Sequence, residues 1–206
     1  MAIEFGKLPA YPNPHFAQIE KDMDRTFVND PFYTKEFQES VKRILTAYIW
    51  RNPTVGYIQG FNFLVFRLRK HLSEEDTFWI LVKIVESYMT PDYYIGSYGA
   101  ETQAYILQKI LTQYDFMPKV VKAFERLDVN TVMFSVSWFI TIFSASLPEE
   151  ASLRVLDLFF LKGLKSSKVV FEVGLGILKV LENQIAECND SCNFFTKLFV
   201  TTNPAF

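Results

Sequence analysis

VKRILTAYIWRNPTVGYIQGFNF, residues 41–63, reads as a helix, a stop and a loop in succession. Val41, Ile44, Leu45, Tyr48 and Ile49 follow the i, i+3, i+4, i+7, i+8 spacing that lines one face of an amphipathic helix. Asn52 and Pro53 end it, because proline lacks the N–H and pushes the residue before it out of the helical region. Gly56 and Gly60 then bracket Tyr57 and Gln59, which suits a tight loop.

Working outward, the same period recurs. Phe78, Leu81, Val82 and Val85 form a second stripe, opened by a capping box of Ser73 with Asp76. Leu107, Ile110, Leu111 and Tyr114 form a third. Leu153, Leu156, Phe159 and Phe160 form a fourth, with Pro148 at its start and Gly163 at its end. Phe171, Gly174, Leu175, Leu178 and Ile185 predict one long late helix. Strand-like alternation is scarce, so the expected fold is all-α. Breaks at 29–31, 52–53, 90–99 and 147–148 are short, and there is no internal repeat, so residues 1–206 are expected to form a single domain. Tyr93 and Tyr94 lie in the longest expected loop, where packing beneath the loop is preferred to a partner surface.

Of 206 residues, half are hydrophobic and 21 are phenylalanine, so the chain has ample material for a core. The formal net charge of -2 argues against nucleic-acid binding. Arg67, Arg69, Lys70 and His71 form a short basic cluster, read as a solvated helix end. Cys188 and Cys192, four apart, would share a helix face without bridging and are expected to be reduced thiols. With only two histidines and two cysteines, no zinc set can be assembled. Residues 129–148 carry no charge but hold too many Ser and Thr for a membrane span, and are expected to form a buried core helix. Gly174-Leu175-Gly176 lacks the third glycine and preceding strand of a dinucleotide loop and reads as close helix packing.

Two short segments carry the functional signal. IEKDMDRTF holds Ile19, Asp22 and Arg25; NPTVGYIQGFNF holds Tyr57, Gln59 and Asn62. They resemble the paired I-x-x-D-x-x-R and Y-x-Q signatures of the TBC domain, the catalytic module of Rab GTPase-activating proteins. Asn52, Pro53, Gly56, Gly60 and Asn62 match the surrounding N-P-x-x-G-Y-x-Q-G-M-N run, with Phe61 in place of Met. Trp138, Phe139 and Phe143, then Leu147 and Pro148, then RVLDLFFLKG with Arg154, Asp157 and Gly163, resemble later motifs of the family. Order and spacing agree over about residues 16 to 180. The chain lacks the R-x-x-x-W element and helices that usually precede the arginine motif, so the family's N-terminal helices are expected to be missing.

The resemblance implies that Arg25 is an arginine finger and that Gln59 positions the attacking water in place of the GTPase's own glutamine. It casts Asp22, Tyr57, Ile19 and Asn62 as supporting or partner-binding. Taken alone, Arg25 would read as a surface ion pair with Asp22 or Asp24, and Gln59 as a cap for the following helix. Trp138, Arg154 and Asp157 are read as structural. With no P-loop, the chain is not expected to bind GTP itself. Nucleotide and Mg²⁺ would belong to a Rab-family small GTPase partner. The expected setting is cytoplasmic, with recruitment to endomembranes through that GTPase. The alternative is a catalytically inactive TBC-fold scaffold subunit of a larger assembly.

Overall fold

The computed structural model describes residues 14–90 and 92–202. All regular elements among them are helical. The chain divides into two compact units, one ending at Ser97 and the other starting at Tyr98.

The first unit holds α1 (Pro14–Met23), α2 (Lys35–Arg51), α3 (Phe61–Arg69) and α4 (Glu74–Lys83), which runs on as a π-helical turn, Ile84–Tyr88. The expected α2 stripe is the buried one: Val41, Ile44, Leu45, Tyr48 and Ile49 are all interior. Thr34 caps α2 by accepting from the Phe37 N–H at 3.3 Å. Ser73 caps α4, accepting from the Asp76 N–H at 3.1 Å and donating to the Asp76 carboxylate at 2.6 Å. An edge-to-face aromatic series runs Tyr48–Phe61–Tyr94–Tyr93, with centroids 4.8–6.1 Å apart. Tyr93 and Tyr94 are each 1% exposed, so these two aromatics of the expected loop are core.

The basic cluster is not the solvated helix end that the sequence suggested. It does close α3, but Arg67 is 4% exposed, with its guanidinium 4.4 Å from the centre of the Phe27 ring. Arg69 donates to Ser40 Oγ at 2.7 Å and to the Leu72 carbonyl at 2.9 Å. Lys70 pairs with Asp30 at 2.8 Å and lies over the Phe32 ring. Only His71 is exposed. The physical reason is the chain between α1 and α2, whose Phe27, Asp30 and Phe32 cover Arg67 and Lys70, together with α2 itself, whose Phe37 and Ser40 meet Arg69. Periodicity within α3 carries no trace of these contacts.

The second unit holds α5 (Tyr98–Tyr114), α6 (Pro118–Leu127), α7 (Val132–Thr141), α8 (Glu149–Lys162), α9 (Ser167–Val180), α10 (Glu182–Ala186) and α11 (Ser191–Thr202). Its centre is Trp138, fully buried against Phe134 and Phe143. A Cβ on Gly174 would meet the Trp138 ring at 3.7 Å, so α9 does approach closely there, whereas Gly176 faces open space.

Four expectations are corrected here. The uncharged stretch 129–148 is a helix only from Val132 to Thr141; Ile142 and Phe143 then take positive φ, and turns follow. Its hydroxyls offer the backbone other partners: Thr141 Oγ1 donates to the Ser137 carbonyl at 2.8 Å. The late helix is two, parted at Leu181, whose ψ is near zero; Arg126 of α6 donates to the Ala186 carbonyl at the end of α10. The buried side of α5 is Ala100, Ala104, Leu107 and Leu111, while Tyr114 is exposed because α7 packs on the alanine-bearing side. Cys188 lies past the end of α10 and is buried, whereas Cys192 is exposed on α11, so the two free thiols share no helix face. Burial raises the Cys188 thiol pKa.

Candidate functional site

α1 ends with Asp22 and Met23 buried. The chain then turns tightly: the Arg25 N–H reaches the Asp22 carbonyl at 3.2 Å and the Thr26 N–H reaches the Met23 carbonyl at 3.0 Å. Phe27 follows at φ 47°, a conformation costly for a side chain of its size. Its ring is held among Phe63, Phe66 and the Arg67 guanidinium. The turn therefore holds Arg25 outward; its side chain is 54% exposed.

The second loop is built by Asn52 and two glycines. Asn52 accepts from the Val55 N–H through its side chain at 3.2 Å and from the Gly56 N–H through its carbonyl at 2.9 Å. Gly56 sits at φ +64°, and a Cβ there would fall 2.5 Å from His15 Nε2, so both conformation and space call for glycine. Gly60, at φ 115°, turns the chain into α3. Gln59 between them is exposed, and its side chain makes no hydrogen bond among the described residues. It is not a cap: Gly60 holds that position.

The two loops meet through one buried polar cluster. The Asp22 carboxylate is fully buried and accepts three bonds: Gln18 Nε2 at 2.8 Å, Arg25 at 2.5 Å and the Tyr57 hydroxyl at 2.7 Å. Three donors are what an ionised carboxylate needs away from water. Tyr57 also lies 3.1 Å from Asn62 Oδ1, but its single proton goes to the shorter, charge-assisted bond. The Tyr57 phenol pKa is raised far above its usual value, first by burial and then by its bond to Asp22, so it stays a donor. Asn62, 1% exposed, accepts from the Gly60 N–H at 3.0 Å and donates to Thr26 Oγ1 at 2.7 Å.

The structure thus joins Asp22, Arg25, Tyr57 and Asn62 directly, with Gln59 on the loop that Tyr57 and Gly60 anchor. Ile19, 2% exposed, is core packing and can touch no partner without unfolding α1. Asn62 is likewise interior. Thr26, Gln18 and Arg67 take part in holding the site; the first two went unread in the sequence, and Arg67 was read only as part of a solvated helix end. Thr26 follows Arg25 directly, but nothing local shows that its hydroxyl faces Asn62. Arg154 and Asp157 are not structural in the sense expected. Their side chains are 79% and 65% exposed, 3.8 Å apart, and line an open groove on α8 with Leu158 and Leu161. They lie on the helix face opposite Leu156 and Phe159, which is why the motif leaves them in solvent. Trp138, by contrast, is core as expected.

An all-α chain whose arginine and glutamine loops share a buried Asp–Tyr–Asn anchor matches the Rab-GTPase-TBC domain model over residues 4–186, and the chain belongs to that family. It is 34% identical over 190 residues to TBC1 domain family member 2B of Xenopus tropicalis and 35% identical over 199 residues to human TBC1 domain family member 2A. These alignments cover 90% and 91% of this chain but 20% and 21% of the relatives, so it spans about a fifth of their length. Among solved structures it is similar to the Chlamydomonas flagellar RabGAP TBC domain, with TM-score 0.81 and 26% identity over 92% of this chain and 63% of that one. The Ypt/Rab-GAP domain of Gyp1p shares the fold, with TM-score 0.81 and 24% identity over 96% of this chain and 70% of that one.

Proposed function

We propose that this chain accelerates GTP hydrolysis by a Rab-family small GTPase, with Arg25 as arginine finger and Gln59 as the group that positions the attacking water. The observation that carries this reading is an asymmetry. Asp22, Tyr57 and Asn62 are buried and bonded, while the two side chains that they flank, Arg25 and Gln59, face solvent. The Gln59 side chain makes no hydrogen bond among the described residues, which leaves its amide available to a partner.

The chemistry follows from the groups. Asp22 engages one nitrogen of the Arg25 guanidinium and leaves other donors for a partner's phosphate oxygens. Held in place beforehand, that cation stabilises charge developing in phosphoryl transfer more than charge already present. The Gln59 amide can accept from a water and donate to a phosphate oxygen at once. GTP and Mg²⁺ come with the GTPase, as does any recruitment to endomembranes. Among the described residues, no helix is long and apolar enough to cross a membrane.

The test is single-turnover hydrolysis against a panel of Rab GTPases. Gln59→Ala should abolish stimulation while largely keeping binding, and a GTPase lacking its own switch glutamine should remain stimulated. Full activity in Gln59→Ala, or a strict need for the partner's glutamine, would overturn the assignment of Gln59. The scaffold alternative predicts intrinsic rates with every GTPase and equal binding to the GDP and GDP–aluminium-fluoride forms.

A further inference from the structure

We infer that Thr26 is a positioning residue that sets the arginine loop against the glutamine loop through Asn62; this rests on the activity proposed above. Thr26 is fully buried. A threonine hydroxyl has one proton to give, and here it goes to the Asp22 carbonyl at 2.5 Å. The same oxygen accepts from Asn62 Nδ2 at 2.7 Å. Asn62 Oδ1 in turn accepts from the Gly60 N–H at 3.0 Å. Thr26 is covalently next to Arg25, and Gly60 is covalently next to Gln59. The path from one exposed side chain to the other is therefore two peptide links and two buried hydrogen bonds.

A second strut runs beside it. Asp22 takes the Arg25 guanidinium on one oxygen and the Tyr57 hydroxyl on the other. That strut holds the tip of Arg25, whereas Thr26 holds its backbone. The arginine loop is not at rest in the dihedrals it adopts: Phe27 is at φ 47°, so that turn depends on its side-chain bonds to persist, whereas Gly60 takes its φ of 115° without strain. The direction of the bonds also explains the residue types. Asn62 must donate on one side and accept on the other, which a carboxylate cannot do. Thr26 must donate and accept through one atom, which valine cannot do.

The experiment compares stimulated single-turnover hydrolysis for the wild type, Thr26→Val, Thr26→Ser and Arg25→Ala, with folding checked by thermal melting. Displacements near 1 Å at a catalytic group cost on the order of 10²-fold. Thr26→Val should lower the maximal rate about 30- to 100-fold with KM for the GTP-loaded GTPase within about threefold. Thr26→Ser, which restores the hydroxyl, should return to within about threefold of wild type. In an Arg25→Ala background Thr26→Val should add less than about threefold, because Thr26 acts through Arg25. If Thr26→Val does not fold, Thr26→Ala, which also lacks the hydroxyl, takes its place in the same cycle. A wild-type rate for the Val or Ala variant, or a full additional loss on top of Arg25→Ala, overturns the inference while leaving the activator reading intact. A wild-type protein that stimulates no GTPase overturns both.

Discussion

Replacing Tyr57 with Phe keeps the buried ring and removes one hydrogen bond, so its cost can be worked from the geometry. The hydroxyl donates to a fully buried carboxylate at 2.7 Å. A hydrogen bond to a charged group contributes about 1.5–3 kcal/mol, and Asp22 keeps its Gln18 and Arg25 donors. The loss should therefore be about 2 kcal/mol. For a chain of this size each kcal/mol moves Tm by about 2–4 °C, which gives a fall of roughly 4–8 °C. Gln59→Ala, two residues away, is the control. Its side chain is exposed and bonded to nothing described, so it should stay within about 0.5 kcal/mol of wild type. Thermal melts read both variants, and urea titration checks that m is unchanged. If Tyr57→Phe melts with the wild type, Asp22 does not depend on that bond and the anchor is wrongly drawn. A larger fall in Gln59→Ala than in Tyr57→Phe would reverse the division between holding and acting residues.

Other expectations follow from the same geometry. Arg25→Ala should cut stimulated hydrolysis on the order of 10³-fold or more, and Arg25→Lys should be nearly as poor because an ammonium lacks the planar fork; a wild-type rate in the Lys variant would show that charge alone suffices. Gly56→Ala should destabilise by about 1–2 kcal/mol from its φ of +64° alone, plus a steric share against His15 that pairing it with His15→Ala relieves in a double-mutant cycle; strict additivity would refute the contact. Glu74 is held below its usual pKa by its hydrogen bond to Arg43, against the opposing effect of burial. A lowered folded pKa gives stability that is complete above the unfolded value and lost as pH falls through the folded one. The destabilisation of Arg43→Ala should thus be largest near neutral pH and shrink on acidification below about pH 4, and melts showing a pH-independent difference would contradict it.

Helices with a clean apolar stripe were legible because burial follows period 3.6. The five residues of α2 and the Ser73–Asp76 cap are interior and bonded as their spacing implied. The motif residues were legible as a set, since order and spacing survive without knowledge of contacts. What the linear pattern could not carry was which polar atoms face each other. Thr26 and Asn62 are thirty-six positions apart, and the meaning of each lies in the other. The basic run of α3 misled for the same reason. Basic residues at a helix end look solvated until the return of the chain places Phe27 against Arg67, and Asp30 and Phe32 against Lys70. The helix ends at Thr141 and Leu181 also escaped, because they follow from backbone hydrogen-bond competition and packing rather than from Pro or Gly.

The interior behind Arg25 is a poor way to make a domain stable. A carboxylate, a phenol, a carboxamide and a hydroxyl occupy space that apolar side chains could fill, and a buried charge with its partners is at best weakly stabilising against such a replacement. Phe27 adds a left-handed backbone, and Arg67 a cation beneath its ring. Aliphatic packing would hold the loops with more tolerance, because it is non-directional. Hydrogen bonds of 2.5–3.0 Å between fixed donors and acceptors allow one register only. A region that gives up stability for directional bonds is selecting geometry. The groups whose geometry it selects are the two that face solvent, Arg25 and Gln59. If that is the reason for the cluster, an apolar replacement such as Asp22→Leu with Tyr57→Phe would lose less stability than Asp22→Leu alone, yet recover none of the stimulated hydrolysis. Recovery of activity together with stability would show that the polar interior is incidental to how Arg25 and Gln59 are held.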